Sequence, residues 1–394
     1  MAWLLHPMWR RLAAHHTIPS HSIPFTRGIA ILLTSSPLAH KPSPLLTMAS
    51  QTRDASSKAD VQEPRPSSSV LLLSPTNEIL LLHRVKTSTS FASAHVFPGG
   101  NLDPFHDADD GDIPGPESAE RHRDGPAYRM GAIRETFEET GILLATKNGA
   151  LVSLSAEQRD EARKNVHGNK VKFGDFLKSI GAVADTAGLI PFTRWITPTH
   201  VPKRFTTQMY LYLLPISKRS VPSEILLPTP DGGVEHTAAQ FAPPQSWLDK
   251  AAEGSIILFP PQVYLMKMLT RFLTGSTSAL EEGPLHYTAQ RKKLVSFLRR
   301  RVTAETDRGK QHPTATISWA DKVMSPYHLL FREEDNRVVL ALDKPGPELE
   351  GSDRGGDWER VALVKFGRGG PSEVEIRMRE EVLAEQRAKP DARL

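Results

Sequence analysis

A run of eight residues from Arg134 to Gly141 carries three glutamates whose spacing suits a metal ion. The run reads Arg-Glu-Thr-Phe-Glu-Glu-Thr-Gly. On an α-helix, which turns by about 100° per residue, Glu135, Glu138 and Glu139 share a stripe about a third of the circumference wide. Carboxylates at this spacing destabilise an isolated helix by about a few tenths of a kcal/mol per pair. A hard divalent cation with oxygen ligands would offset that repulsion. A solvated acidic helix face is the alternative.

The residues around this run favour a binding site over a solvated face. The side of the helix opposite the glutamates carries Ile133 and Phe137 and can be buried. Arg134 precedes the first glutamate and can pair with Glu138 one helical turn later. Upstream, an apolar strand leads into Pro98-Gly99-Gly100, where glycine lets the backbone approach a ligand. The helix and this turn are therefore predicted to form one site.

At these residues the chain resembles the Nudix hydrolases. Their signature runs Gly, five residues, Glu, seven residues, Arg-Glu-apolar-x-Glu-Glu-x-Gly-apolar. Gly100 matches the first position, and the run from Arg134 to Ile142 matches the last part, with Thr136 at the apolar position. The first Glu of the signature is missing, because Pro126 stands at its place before the helix.

A long insert separates the two halves of the signature. About twenty extra residues lie here, and the insert from Asp103 to Asp124 holds eight acidic residues. Its composition predicts a mobile, solvated loop, in which Glu117, Glu120 or Asp124 could replace the missing Glu. A long insert at this point, together with the phrases at 94–100 and 132–139, resembles one subgroup of the family, the peroxisomal acyl-coenzyme A diphosphatases.

The resemblance implies both a fold and a chemistry. The implied fold is α/β, the Nudix α/β/α sandwich with a mixed β-sheet. In that family Mg²⁺ or Mn²⁺, here held by Glu135, Glu138 and Glu139, would neutralise a diphosphate and activate water for its hydrolysis. Arg134 would orient Glu138 or Glu139. Either Glu139 or Glu235 would act as the general base.

Five residues are predicted to bind the substrate: Arg84, Gly99, Gly100, Lys203 and Arg204. The glycines would bring backbone next to the diphosphate, and the cations would hold phosphate oxygens or stack on a base. The resembling subgroup implies coenzyme A or acyl-coenzyme A as the substrate, cut to 3′,5′-ADP and phosphopantetheine or its acylated form. The alternatives are another nucleoside diphosphate derivative, such as NADH, a nucleotide sugar or capped RNA, and a non-catalytic Nudix-fold binding module.

Composition excludes several other classes of site. The 394 residues contain no cysteine, so a disulfide framework, a thiolate zinc site and a cysteine nucleophile are all ruled out. The net charge of +4 is small and indicates no particular partner. Residues 291–301 hold six basic residues on an amphipathic pattern. A solvated helix face is the favoured interpretation of that pattern, and binding to nucleic acid is the alternative.

The chain divides into four segments by pattern. Residues 1–65 are a polar, basic leader; 66–300 form the Nudix domain, with the insert at 103–126; 301–385 alternate apolar and polar residues and predict a small β-rich extension packed on that domain; 386–394 are a charged tail. Within the domain a β-hairpin is predicted at 70–82, and the glutamate-bearing helix at 127–144.

The two ends of the chain carry targeting signals. The last three residues, Ala392-Arg393-Leu394, are a conservative variant of the Ser-Lys-Leu address that the peroxisomal import receptor reads. Residues 1–53 are basic and free of acidic residues, which is typical of a mitochondrial transit peptide; Met48 as the real start is the alternative. The apolar stretch at 29–33 is too short to cross a bilayer, so no transmembrane segment is expected.

Overall fold

The computed structural model describes residues 61–85, 93–108, 112–216, 228–229, 236–275, 283–367 and 369–388. All elements named below belong to one compact unit whose continuous part begins at Gln62. Almost all of the predicted leader lies outside the described residues, as do Glu235 and the terminal tripeptide 392–394.

The strands of the described residues fall into three sheets. In chain order they are β1 (Arg65–Leu73), β2 (Ile79–Arg84), β3 (His95–Val96), β4 (Gly99–Asn101), β5 (Ala145–Lys147), β6 (Ala150–Leu151), β7 (Val183–Ala184), β8 (Ile190–Ile196), β9 (Phe205–Leu213), β10 (His236–Ala242), β11 (Val323–Met324), β12 (Tyr327–Arg332), β13 (Arg337–Leu342), β14 (Asp357–Gly367) and β15 (Gly370–Met378). The helices between and after them are α1 (Pro104–Asp107), α2 (Pro126–Thr140), α3 (Ala156–His167), α4 (Phe173–Ser179), α5 (Pro244–Ala252), α6 (Pro260–Leu269), α7 (Gly283–Leu298) and α8 (Arg379–Arg387).

The central sheet is mixed, as the sequence predicts. Its order is β10-β2-β1-β9-β8-β11, with β3 paired to β2 and β4 paired to β1. Strands β1 and β9 run parallel, with Ser67 opposite Thr207, and β8 and β11 are also parallel. Strands β1 and β2 form the predicted hairpin, and Asn77 in its turn takes a left-handed φ of 62°, which asparagine tolerates.

Helices cover both faces of this sheet and give the predicted α/β/α arrangement. On one face Ile133 and Phe137 of α2 are fully buried in a core with Val70 and Tyr210 of β1 and β9. On the other face α6 lies against the sheet through aromatic rings, with the Trp195 and Tyr264 ring centroids 5.5 Å apart. These buried faces fix α2 in place relative to the strands and so position its glutamates.

Helix α2 ends at Thr140, four residues before the predicted end. Gly141 takes a left-handed φ of 73° and donates its N–H to the Phe137 carbonyl, which closes the last turn. The helix stops there because glycine enters this conformation without a steric penalty. The apolar residues that follow Gly141 lie in the core beyond the helix.

The insert is buried near its two ends, whereas its composition predicts a solvated loop throughout; the described residues 112–120 between them are exposed or half-buried. Its described residues form the short helix α1 and a 3₁₀ turn at Ala119–His122. Asp107, Arg121 and His122 are all buried. The correction has a physical cause, because these polar groups find partners within the domain. Arg121, for example, donates to the Pro64 carbonyl at 3.1 Å.

The C-terminal extension is β-rich, as predicted, and continues the main domain. Strands β12, β13, β14 and β15 form an antiparallel sheet, against which Val382 of α8 is buried. The extension also contributes β11 to the central sheet, where it pairs with β8. In the part of the chain that is described, no helix combines the length and apolar character needed to cross a membrane.

Candidate active site

The turn at Gly99 and Gly100 lies directly against the glutamate-bearing helix. Gly99 has a φ of 147°, and a Cβ atom on it would lie 2.2 Å from the Ser68 carbonyl oxygen. A Cβ atom on Gly100 would lie 2.5 Å from the carboxylate of Glu135. Both positions therefore require glycine, the first for its backbone conformation and the second because a carboxylate occupies the space.

A pocket of about 390 Å³ opens where this turn meets α2. Glu135, Glu139 and Arg134 line it from the helix. The rest of its lining comes from the turn and the neighbouring strands, including Ser67, Ser68, Ser69, Arg84, Gly99, Gly100, Phe205 and Thr207. The pocket thus combines carboxylates, backbone, hydroxyl groups, one further arginine and two aromatic residues, Phe97 and Phe205.

Arg134 is the centre of the hydrogen-bond network in this site. It is buried, and its Nη1 donates to Glu135 at 3.0 Å and to Glu138 at 2.9 Å. Its Nε and Nη2 donate to the two carboxylate oxygens of Asp107, both at 2.9 Å, and Nη2 also reaches the Asn101 carbonyl. One guanidinium group therefore fixes the position of three carboxylates, which agrees with an orienting role for Arg134.

Asp107 is the residue that sequence reasoning missed. The missing carboxylate was sought at Glu117, Glu120 or Asp124, but Asp107 from α1 makes the bidentate ion pair with Arg134. Asp124 pairs instead with Arg129. The sequence contains a signal for this residue. Counting five residues on from Gly100 places the signature's Glu at position 106, and Asp107 is the next residue.

The glutamates differ in their surroundings. Burial raises the pKa of Glu135 to about 7; Arg134 opposes this shift, and the charges of Glu138 and Asp107 add to it. Glu139 accepts a hydrogen bond from the Gly99 N–H at 2.8 Å. Glu138 lies between Arg134 and the His167 ring, whose Nδ1 is 3.0 Å from its carboxylate, and it does not line the pocket.

The carboxylates of this site suit a small divalent cation that takes only some of its ligands from the protein. Among the described residues no three acidic or histidine side chains converge on a single point. Glu135 and Glu139 nevertheless face one pocket. Mg²⁺ is commonly held by one or two carboxylates, with water and substrate oxygens as the other ligands. The predicted ligand set of Glu135, Glu138 and Glu139 is thus represented in the pocket by its first and last members.

The predicted substrate residues divide into two groups. Arg84, Gly99 and Gly100 line the pocket. Lys203 is exposed and does not line it. The side chain of Arg204 is buried and pairs with Glu348, so it does not line the pocket as predicted, whereas its neighbours Phe205 and Thr207 do.

Comparison with known proteins shows which family this site resembles. A model described as the NUDT19 Nudix domain matches residues 116–269, which include α2 and all three of its glutamates. Over this segment the chain is similar to the Nudix hydrolases. The matched Nudix segment begins after Arg84, the glycine turn and Asp107, so these parts of the site lie outside it.

Curated Nudix relatives resemble about half of this chain. Over 202 residues it is 30% identical to the putative nudix hydrolase 7 of Caenorhabditis elegans, covering 51% of this chain and 59% of that protein. Over 245 residues it is 27% identical to the acyl-coenzyme A diphosphatase NUDT19 of Gallus gallus, covering 50% and 61% respectively. The chain thus spans about three fifths of the length of these curated relatives. A solved Nudix hydrolase from Alicyclobacillus acidocaldarius is 21% identical, with a TM-score of 0.39, covering 52% of this chain and 90% of that one.

Proposed function

We propose that this protein is a metal-dependent Nudix diphosphatase that hydrolyses the diphosphate bond of a nucleoside diphosphate derivative. The observation that carries the proposal is the pocket in which Glu135 and Glu139 meet the glycine turn. The Gly100 backbone lies so close to the Glu135 carboxylate that no side chain fits between them. A diphosphate in this pocket would lie beside both carboxylates and exposed backbone.

The residues of the site divide the work of this reaction. A bound Mg²⁺ or Mn²⁺ would neutralise the diphosphate and favour attack by water. Glu135 and Glu139 would hold the cation, and Glu138 stands next to them on the helix. Arg134 keeps Glu135 and Glu138 in place through its two hydrogen bonds. The general base is Glu139 or Glu235, and the second of these lies outside the described residues.

Coenzyme A or acyl-coenzyme A is the proposed substrate. The support comes from the relatives named acyl-coenzyme A diphosphatase in Gallus gallus and Xenopus laevis, 27% and 26% identical to this chain. Arg84 in the pocket offers a cation for phosphate oxygens. The products would be 3′,5′-ADP and phosphopantetheine or its acylated form. NADH, a nucleotide sugar and capped RNA are the alternative substrates.

Hydrolysis of a substrate panel tests reaction and substrate together. The panel holds coenzyme A, an acyl-coenzyme A series, NADH, ADP-ribose, a nucleotide sugar and capped RNA, each with Mg²⁺ or Mn²⁺. The key variant is Glu135→Gln, and Glu157→Gln on exposed α3 is the matched control. We expect release of 3′,5′-ADP by the wild type and the control, and its loss in Glu135→Gln.

The other outcomes separate the alternatives. Cleavage of a different member of the panel would keep the diphosphatase assignment and replace the substrate. Metal binding by the wild type without cleavage of any compound would favour the non-catalytic binding module. Equal activity in Glu135→Gln and the wild type would contradict the proposed site.

For localisation we propose the peroxisome, with the import receptor binding Ala392-Arg393-Leu394. The mitochondrion, reached through residues 1–53, is the alternative. A fluorescent protein fused upstream of the complete chain should colocalise with a peroxisomal marker and disperse when the last three residues are deleted. Retention of the peroxisomal signal in the deletion variant would contradict this assignment.

A further inference from the structure

The C-terminal extension forms an ion pair with the residue that precedes the pocket wall. The Nη2 atom of Arg204, just before β9, lies 2.5 Å from the Oε1 atom of Glu348 in the extension. Only 1% of the Arg204 side chain and 16% of the Glu348 side chain is exposed. The contact is one between charges and not a hydrogen bond, and because an unpaired buried charge is costly, each residue restricts the position of the other.

Arg204 also ties together two segments of the Nudix domain. Its Nε donates to the Thr197 carbonyl at 3.0 Å, and its Nη1 donates to the Gln62 carbonyl at 2.8 Å. Thr197 in turn accepts a hydrogen bond from the Phe205 N–H through its hydroxyl, at 3.0 Å. The backbone of Phe205 is therefore held by the same group of contacts that holds Arg204.

Phe205 and its strand neighbour Thr207 form one wall of the pocket. They lie two residues apart on β9 and so face the same side of the strand. Thr207 is fixed by a hydrogen bond of 2.6 Å between its hydroxyl and that of Ser67 on β1. Phe205 is thus the member of this wall that depends on the contacts around Arg204.

We propose that Glu348 is a positioning residue for substrate binding, which acts through Arg204 to hold Phe205 where its ring stacks on the nucleobase of the substrate. An aromatic ring in a phosphate-binding pocket offers a flat apolar face, and bases of any identity stack on such a face. This inference rests on the proposed function, because it assigns the base of the nucleoside diphosphate substrate to that wall. It gives the extension a role in substrate affinity.

The test compares the same substitution at two ion pairs of the extension. Glu348→Gln removes the charge next to Arg204 and keeps the size of the side chain. Glu385→Gln is the matched control, because Glu385 pairs with Arg332 and Arg377 within the extension. Glu348→Ala is a second, stronger variant, and Phe205→Leu removes the ring directly. All are made in the full chain.

Two readouts are measured. Amide hydrogen exchange over residues 205–208 reports on the pocket wall without any substrate, and we expect faster exchange in Glu348→Gln and unchanged exchange in Glu385→Gln. Steady-state kinetics use the panel member that the wild type cleaves. We expect KM to rise about three- to tenfold in Glu348→Gln with kcat within about twofold of the wild type, the pattern of lost binding in both ground and transition states.

A double mutant shows whether Glu348 acts through Phe205. The KM of Glu348→Gln combined with Phe205→Leu should equal that of Phe205→Leu alone, because the two changes remove one interaction. Unchanged exchange in both Glu348 variants would overturn the coupling. Faster exchange with unchanged KM, or additive effects in the double mutant, would overturn the role in base binding. A wild type that cleaves nothing in the panel would overturn the proposed function, while the exchange data would still decide the coupling.

Discussion

At the scale of single residues the site depends on how buried charges are balanced. One guanidinium group, that of Arg134, faces the carboxylates of Asp107, Glu135 and Glu138. Among these carboxylates, burial raises the pKa of Glu135 to about 7, and the charge of Arg134 opposes that shift. Substitutions that keep the shape of a side chain and remove its charge are therefore the most direct tests of this site.

Replacing Asp107 by asparagine is expected to weaken both stability and activity. The variant keeps the shape of the side chain and removes the charge that holds Nε and Nη2 of Arg134. We expect the free energy of unfolding to fall by about 2 kcal/mol and kcat/KM to fall about ten- to a hundredfold, as for other residues that orient ligating groups. Chemical denaturation and the substrate panel measure the two effects.

Glu120→Gln is the control for this prediction. Glu120 belongs to the same insert, but its side chain is 63% exposed and pairs with Arg123, whose side chain is 55% exposed. The control should match the wild type in both assays, since exposed ion pairs contribute little to stability. Wild-type activity in Asp107→Asn would show that the ion pair with Arg134 serves stability alone.

His122 makes the stability of the fold sensitive to acid. Its burial, and next the charges of Arg194, Arg121 and Arg204, lower its pKa from 6.5 to about 4. The folded chain keeps this histidine neutral at pH values where the unfolded chain protonates it. Its contribution to stability is therefore complete above about pH 6.5 and is lost as the pH falls towards 4.

Denaturation measured between about pH 7 and pH 5 tests the direction in which stability changes with pH. His122 should account for a loss on the order of 1 to 2 kcal/mol in the free energy of unfolding over that range. His122→Gln should lose less stability than the wild type, because glutamine does not titrate and can still bond to the Thr206 hydroxyl. Other groups also contribute to the slope: burial lowers the pKa of His95 to about 4, which adds to the loss, and raises that of Glu135 to about 7, which opposes it. An identical slope in both proteins would contradict the assignment.

At the scale of elements, the sequence predicts local structure well and tertiary partners poorly. The hairpin, helix α2 and the glycine turn follow from periodicity, turn residues and the Gly141 stop, all of which act within a few residues. The buried ends of the insert do not follow from its acidic, proline-containing composition, which is that of a solvated loop. Asp107 is buried beside Arg134, a partner that is distant in sequence.

The pocket wall at β9 illustrates the same limit. Arg204 and Phe205 are adjacent in sequence and therefore point to opposite sides of the chain. Which of them reaches the pocket depends on how β9 pairs with β1, with Ser67 opposite Thr207. No local pattern encodes that register, so the sequence alone favours the cation for its chemistry and does not single out the aromatic residue.

The contact between the turn and α2 gives a sharp prediction at this scale. In Gly100→Ala the new Cβ would lie 2.5 Å from the Glu135 carboxylate, so one of the two must move. We expect activity to fall about a hundredfold, because displacements near 1 Å at a reacting centre cost this much. Gly115→Ala in the insert is the control, since nothing lies within 4 Å of its added Cβ. Equal activity of the two variants would argue against Glu135 as a ligand.

At the scale of the whole molecule the extension and the Nudix domain share buried polar contacts. Asp357 of β14 is buried and accepts a hydrogen bond from Tyr264 of α6 at 2.6 Å and another from Arg360 at 2.9 Å. The backbone carbonyl of Lys322 accepts a hydrogen bond from the Arg194 N–H on β8 at 2.9 Å. Groups buried in this way would lose their partners if the extension came away, so the two parts are expected to unfold together.

The short strand β11 also has a consequence for how the chain can be divided. Val323 and Met324 cover the side of β8 that faces away from β9. A chain ending at residue 300 would expose the unpaired N–H and C=O groups of β8, together with apolar side chains that α6 and the extension now share. Exposed edges of this kind template pairing with other chains.

We therefore expect such a truncated chain to form soluble aggregates or precipitate, whereas a chain ending at residue 388 stays monodisperse in light scattering. A monodisperse, folded 1–300 chain would contradict this prediction. The segment that matches the Nudix family ends at residue 269, yet the cover for its own sheet edge is supplied more than fifty residues later. The segment defined by sequence similarity therefore ends before the strand that covers the edge of its sheet. Chains made for expression should include that strand.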